Sequence, residues 1–161
     1  MTGVLTIIGC GNLNRCDDGV GVVIARRLQA AVGREAEDRV RVFDAGTAGM
    51  DVMFQSRGCE SLIIVDASAT GSAPGTVFEV PGEELENAGC ASFSLHDFRW
   101  DHALYAGRQI FKDEFPEDVR VTLIEAENLG YGWELSAPVA AAAERVTAKL
   151  LSEVGSRLGQ H

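Results

Sequence analysis

Short, nearly continuous apolar runs, each followed by a stretch with helical spacing, constrain this chain more than any other feature. They are "VLTIIG" (residues 4–9), "RVRVFDAG" (39–46), "CESLIIVDA" (59–67) and "DVRVTLIEA" (118–126). Runs of this length and character predict strands buried on both faces. Between them the apolar period changes. Val20, Ile24, Leu28 and Ala31 recur every three to four residues, with Asp17 or Asp18 as the expected N-cap and Gly33 as the stop. "TAGMDVMFQSRG" (47–58) predicts a short helix capped by Thr47 and ended by Gly58. Trp100, Leu104 and Phe111 share one helical face, and Ser136 is placed to cap an alanine-rich helix carrying Val139, Val146 and Leu150. "APGTVFEVPG" (73–82) reads as an added strand between turns, and residues 81–95 as a long polar loop leading to His96.

Strands alternating with helices predict an α/β protein: a parallel-rich sheet covered on both faces and joined by right-handed crossovers. Ligands and chemistry in such sheets gather beyond the carboxyl ends of the strands. The 161 residues contain no internal repeat and no linker, so one domain is expected, with residues 155–161 as a flexible tail. Hydrophobic residues make up 46% and charged ones 24%, the composition of a globular chain. No apolar run is long enough to cross a bilayer, and the N-terminus lacks a secretory pattern, so membrane insertion is not expected. The net charge of −10, without a Lys/Arg stripe, argues against nucleic acid as a partner. Cys10, Cys16, Cys59 and Cys90 form no C-x-x-C pair, which suggests reduced thiols in a cytoplasmic protein. Cys10 and Cys59 read as core fillers, while Cys16 adjoins the acidic pair.

Acids mark the carboxyl edge. Asp17 and Asp18 follow the first strand, Asp44 ends the second, Asp66 ends the third, and Glu125 and Glu127 close the last. Each has an ordinary explanation alone, as a helix cap or a turn former. Gathered at one edge they repel one another, and Arg15 is the only basic residue in the first loop. A cation would relieve the repulsion. His96, at a loop–helix junction, is better placed than His102 to meet the carboxylates; a surface or capping role suits His102. Two carboxylates and one imidazole suit a borderline divalent ion such as zinc or nickel, with the open positions left to water or substrate.

Several chemistries are excluded. Gly9 and Gly11 begin a dinucleotide fingerprint, but Asn14 stands where the third glycine belongs, and acids occupy the helix start that should receive a pyrophosphate. No G-K-[ST] phosphate loop exists. A phosphoacceptor receiver domain needs a lysine at the end of its last strand, and this chain has "LIEAE" there. No G-x-S-x-G elbow or H-E-x-x-H helix is present.

Four motifs in order, "IIGCGNLNRCDDGVGV", "DAGTAGM", "LIIVDA" and "SLHDF" with the later "IEAENLGYGWELS", resemble those of the nickel–iron hydrogenase maturation endopeptidases over nearly the whole chain. The resemblance implies a three-layer α/β/α fold with a mostly parallel twisted sheet of about five strands. It also implies removal of a C-terminal extension from a hydrogenase large-subunit precursor after nickel insertion. Carried onto this chain, the metal-contacting residues would be Asp18, Asp66 and His96. Nickel would arrive with the precursor, the partner, so that zinc or another divalent ion would be only a surrogate. Asp44 is the candidate for positioning or activating water, and Gly9, Gly11, Asn12, Gly46 and Thr47 would form the loops along the substrate. The alternatives are a nickel-sensing chaperone that binds the large subunit without cutting it, and a free-standing metal hydrolase. "NRC" and Leu95 depart from the commoner pattern, which bears on the hydrogenase subgroup served.

Overall fold

A computed structural model of the chain describes residues 3–86 and 99–159. Its elements follow the alternation: β1 (Leu5–Cys10), α1 (Val20–Val32), β2 (Val40–Gly46), α2 (Gly49–Gln55), β3 (Ser61–Ser68), β4 (Val77–Pro81), α3 (Gly82–Glu86), α4 (Trp100–Phe111), β5 (Asp118–Glu125) and α5 (Ala137–Arg157). The strands form one five-stranded sheet in the order β2-β1-β3-β5-β4. All neighbours are parallel except β4, which pairs antiparallel with β5 at the edge. This is the expected three-layer α/β/α architecture.

Alternation along β1 and β3 divides the core. Ile7, Ile63 and Val65 point to a layer of α1 and α5, where they meet Ile24, Leu28, Val139, Val146 and Leu150. Ile8, Leu62 and Ile64 point the other way, against Val52 and Met53 of α2 and Trp100 and Leu104 of α4. Both faces are thus apolar, which is why these strands read as runs rather than as alternating patterns.

Two glycines set how closely α1 approaches the sheet. A Cβ at Gly9 would lie 2.1 Å from the carbonyl oxygen of Gly21, and one at Gly21 only 2.2 Å from that of Val65. Gly9 is therefore a packing residue inside β1, rather than part of a loop facing a substrate.

Several local expectations need correction. α1 begins at Val20, after a 3-10 turn over Cys16–Gly19, and neither Asp17 nor Asp18 caps it. Ala48, not Thr47, holds the N-cap position of α2. Ser136 does occupy the N-cap position of α5, but makes no capping bond there, because its hydroxyl donates to Asp17. Part of the expected 81–95 loop is helical: α3 packs on the sheet through Gly82 against Val119, with Leu85 in the α2–α4 layer. Residues 155–157 of the expected tail belong to α5. Among the described residues, no helix is long and apolar enough to cross a membrane.

Candidate functional site

The chain runs from β1 outward to β2, then returns past β1 to β3, so the strand order reverses between β1 and β3. Segments leaving the two strands diverge there, and a crevice opens at the carboxyl edge. It is a groove of about 250 Å³. Cys10, Gly11 and Asp18 line it from the end of β1, Gly46, Thr47, Ala48, Gly49 and Val52 from the end of β2 and from α2, and Asp66, Arg99 and Trp100 complete it. A larger cavity, of about 530 Å³, lies at the opposite edge, among the first residues of β1, β3 and β5. Its arginines are already engaged: Arg39 caps the carbonyls of Arg157 and Leu158, Arg120 pairs with Glu153, and Arg157 donates to Ser61. No set of reactive groups converges there.

Asp66 is the most constrained acid of the groove. It is 4% exposed. Its Oδ1 accepts the N–H of Ala67 at 2.8 Å, and its Oδ2 accepts the indole N–H of Trp100 at 2.7 Å, with Arg99 Nη2 3.5 Å away. Burial pushes its carboxyl up to about 6; the Trp100 and Ala67 bonds and Arg99 restrain that rise, and the charge of Asp18 adds to it. Asp18 projects from the turn after β1, where its Oδ2 accepts the backbone N–H of Asn12 at 3.0 Å. The groove thus sets two carboxylates near each other with one exposed guanidinium beside them, an arrangement that favours an incoming cation.

Backbone shape matters beside these acids. Gly11 has a φ of +137°, and a Cβ there would lie 1.9 Å from the carbonyl oxygen of Asp18. Gly46 has a φ of +53° and faces open space. Cys10, expected as a core filler, is buried yet reaches the groove wall, and burial with Asp66 and Asp44 nearby holds its thiol protonated.

Asp44, Asp17 and Glu125 are each satisfied separately and Glu127 is exposed, so the acids of the edge do not gather in one cluster. Asp44 Oδ2 accepts from Arg26 at 3.0 Å and its Oδ1 from the N–H of Gly46, and it does not line the groove. Arg26 is the counter-charge that the sequence did not reveal, since it lies one helix away in the chain. Asp17 is wholly buried and accepts four hydrogen bonds, from the N–H groups of Glu127, Asn128 and Ser136 and from the Ser136 hydroxyl. Burial raises its carboxyl, but these bonds outweigh it and hold the group below the ordinary value. Glu125 is likewise buried and held low against burial by Thr70, Ser68 and Gly71.

Asn12 supplies its N–H to Asp18 and an Asx turn to Asn14, while Thr47 and Gly46 stand on the groove wall. His96 and Cys90 lie outside the described residues. His102 lies in the first turn of α4. Cys16 is buried away from the groove, with the side-chain amide of Asn128 3.6 Å from its sulfur. Arg99 and Trp100 were missed as site residues, since Trp100 reads as part of an apolar helix face. A buried indole N–H needs a partner, and that is the signal which points from Trp100 to an acid. Among the described residues, no three His, Cys, Asp or Glu side chains are gathered to hold an ion. Asp18 and Asp66 are the two carboxylates that line the groove, close enough for the charge of one to act on the other.

Comparison with known proteins agrees with this architecture. The sequence model of the HycI hydrogenase maturation protease family matches residues 22–153. The chain is 31% identical over 156 residues to the hydrogenase expression/formation protein HoxM of Azotobacter vinelandii, covering 94% of this chain and 73% of that protein. It is 30% identical over 126 residues to the hydrogenase 2 maturation protease of Escherichia coli, covering 78% and 74% respectively. The solved structure of the hydrogenase maturating endopeptidase HybD from E. coli superposes with a TM-score of 0.76 at 28% identity, over 95% of this chain and 93% of that one. The HycI protease of Thermococcus kodakarensis shares the fold, with a TM-score of 0.74 at 21% identity over 94% and 91% of the two chains. With a family match over most of its length, the chain belongs to the hydrogenase maturation protease family.

Proposed function

We propose that this protein is an endopeptidase that removes the C-terminal extension of a nickel–iron hydrogenase large-subunit precursor after nickel insertion. The nickel carried by the precursor would be the feature recognised. One observation carries the reading: a buried carboxylate, Asp66, is fixed by Trp100 beside Asp18, in the groove where the strand order reverses. Family membership supports the hydrolytic part of the reading.

In this account Asp18 and Asp66 meet the loaded centre of the precursor, and His96 supplies a third contact. Zinc or another divalent ion would occupy the same groove only as a surrogate. The Trp100 and Ala67 N–H groups hold the Asp66 carboxylate in one orientation, so its free lone pairs point at the groove without further ordering cost. Gly46, open on the groove wall, leaves room for substrate backbone, Gly11 lets the Asp18 backbone pack close, and Asp44 holds the wall by fixing the Gly46 N–H. Hydrolysis then adds the water oxygen to the scissile carbonyl carbon, the C–N bond breaks, and the departing amine takes up a proton. Nickel carried by the precursor, met by Asp18, Asp66 and His96, would supply Lewis-acid polarisation of the carbonyl. A cytoplasmic location goes with this function.

The test is the mass of the large subunit after incubation with the protein. Wild type is expected to release a C-terminal peptide, whereas Asp18→Ala, Asp66→Ala and His96→Ala abolish release with unchanged circular dichroism. Cleavage at the wild-type rate by all three variants would overturn the site. Stable binding by wild type with no change in precursor mass would instead mark a binding module.

A further inference from the structure

Tyr131 is 90% exposed and Trp133 83%, both far above the other exposed large hydrophobic side chains among the described residues. They stand on the segment linking β5 to α5, which is tightly held. Cys16 N–H donates to the Gly132 carbonyl at 2.8 Å, Gly132 N–H to Asn14 at 2.9 Å, and Arg15 Nε to Leu129 at 3.1 Å. Asp17 fixes both ends of the segment, through Glu127 and Asn128 on one side and Ser136 on the other. The rings are oriented too: Trp133 Nε1 donates to Asn14 Oδ1 at 3.0 Å, and the Arg15 guanidinium lies 5.6 Å from the Tyr131 ring centre.

A backbone held this firmly, with two aromatic rings in water, leaves little ordering cost for a partner to meet. Tyr, Trp and Arg are the residues that dominate protein interfaces. The partners of these rings, Asn14 and Arg15, belong to the same turn that presents Asp18 to the groove. The link from groove to rings is this turn: Asp18 lines the groove, and four residues or fewer before it Asn14 and Arg15 hold the rings, within reach of a protein substrate. Glu127 and Glu134 are exposed on the same segment, and the chain carries a net charge of −10.

We propose that Tyr131 and Trp133, held by the turn that carries Asp18, form a docking platform for the precursor polypeptide, taking a stretch that combines apolar side chains with basic ones. Apolar groups cover Trp133, and the cations lie against Glu127 and Glu134 or over the ring faces. The assignment rests on the proteolytic reading for its occupant, the precursor polypeptide.

Trp133 is its own reporter. The chain has two tryptophans, and the other, Trp100, is buried. Acrylamide quenching of wild-type fluorescence is measured while purified hydrogenase large-subunit precursor is added. Precursor is expected to protect the exposed tryptophan, and the protection is absent in Trp133→Phe. Under turnover, Trp133→Ala and Tyr131→Ala are expected to raise KM at least about tenfold with kcat nearly unchanged. Trp133→Phe recovers most of the loss. Phe54→Ala, which removes an exposed ring on α2, leaves KM unchanged. Unchanged KM in both platform variants, an equal rise in Phe54→Ala, or no protection on precursor binding would each overturn the platform. Absence of cleavage by wild type would count against the protease reading instead, while the quenching titration still decides the platform.

Discussion

Asp17 and Asp18 are chain neighbours with opposite surroundings. Asp17 turns inward and ties the turn after β1 to the segment before α5, whereas Asp18 faces the groove. The tie has a pH signature. Its carboxyl is held below the ordinary value of 3.8, so the native state binds fewer protons than the unfolded chain near that value. Stability from Asp17 is therefore complete above about pH 4 and is lost as pH falls through its native value. Asp17→Ala removes the acceptor of three part-buried N–H groups and of the Ser136 hydroxyl and should cost about 1–3 kcal/mol, read by urea unfolding at pH 7. The acid limb of the stability profile should become shallower in the variant, and an unchanged limb would refute the tie. Asp66 works in the other direction. Its carboxyl is raised to about 6, so divalent-cation binding should weaken as pH drops through that region, which calorimetric titration across pH 5–7.5 would reveal. Arg99 competes for the same carboxylate, and Arg99→Ala should bind nickel several-fold more tightly at pH 7. These roles were only partly legible. The motif pointed to Asp18 and Asp66, but sequence spacing cannot show that Arg26 neutralises Asp44 or that Trp100, while packed in the core, also donates its indole N–H to Asp66.

At the scale of elements, the strands were the most legible part, because burial on both faces gives an unbroken apolar run with few alternatives. Helix starts were less so. Ser, Thr and Asp all favour cap positions, yet Asp17 and Ser136 bond to each other and leave α1 and α5 without a side-chain cap. Long-range partners outbid the local one. α3 was hidden by its brevity and by three glutamates in "GEELE", which read as loop. The glycine contacts between α1 and the sheet were also invisible as such, since Gly9 looked like a loop residue. Gly21→Ala places a methyl within 2.2 Å of the Val65 carbonyl oxygen, a backbone atom that cannot turn aside. The variant should lose about 1–3 kcal/mol of stability and shift α1 outward, detectable by chemical denaturation and by chemical-shift changes across β1 and β3.

For the whole molecule, the sheet topology determines where chemistry can occur. Reversal of strand order between β1 and β3 opens a crevice at the carboxyl edge, and Asp18, after β1, and Asp66, near the end of β3, are the acids that line it. Asp17, Asp44 and Glu125 have other partners, which explains why a count of edge carboxylates overstated the site. The proposed aromatic platform is held by Asn14 and Arg15, of the turn that also carries Asp18. The most direct test of the account compares nickel-loaded and nickel-free large-subunit precursor under identical conditions, following the large-subunit mass with time. The account predicts loss of the C-terminal peptide from the loaded precursor alone, and none from either form with Asp66→Ala. Equal cleavage of the nickel-free precursor by wild type would contradict recognition through the substrate's nickel.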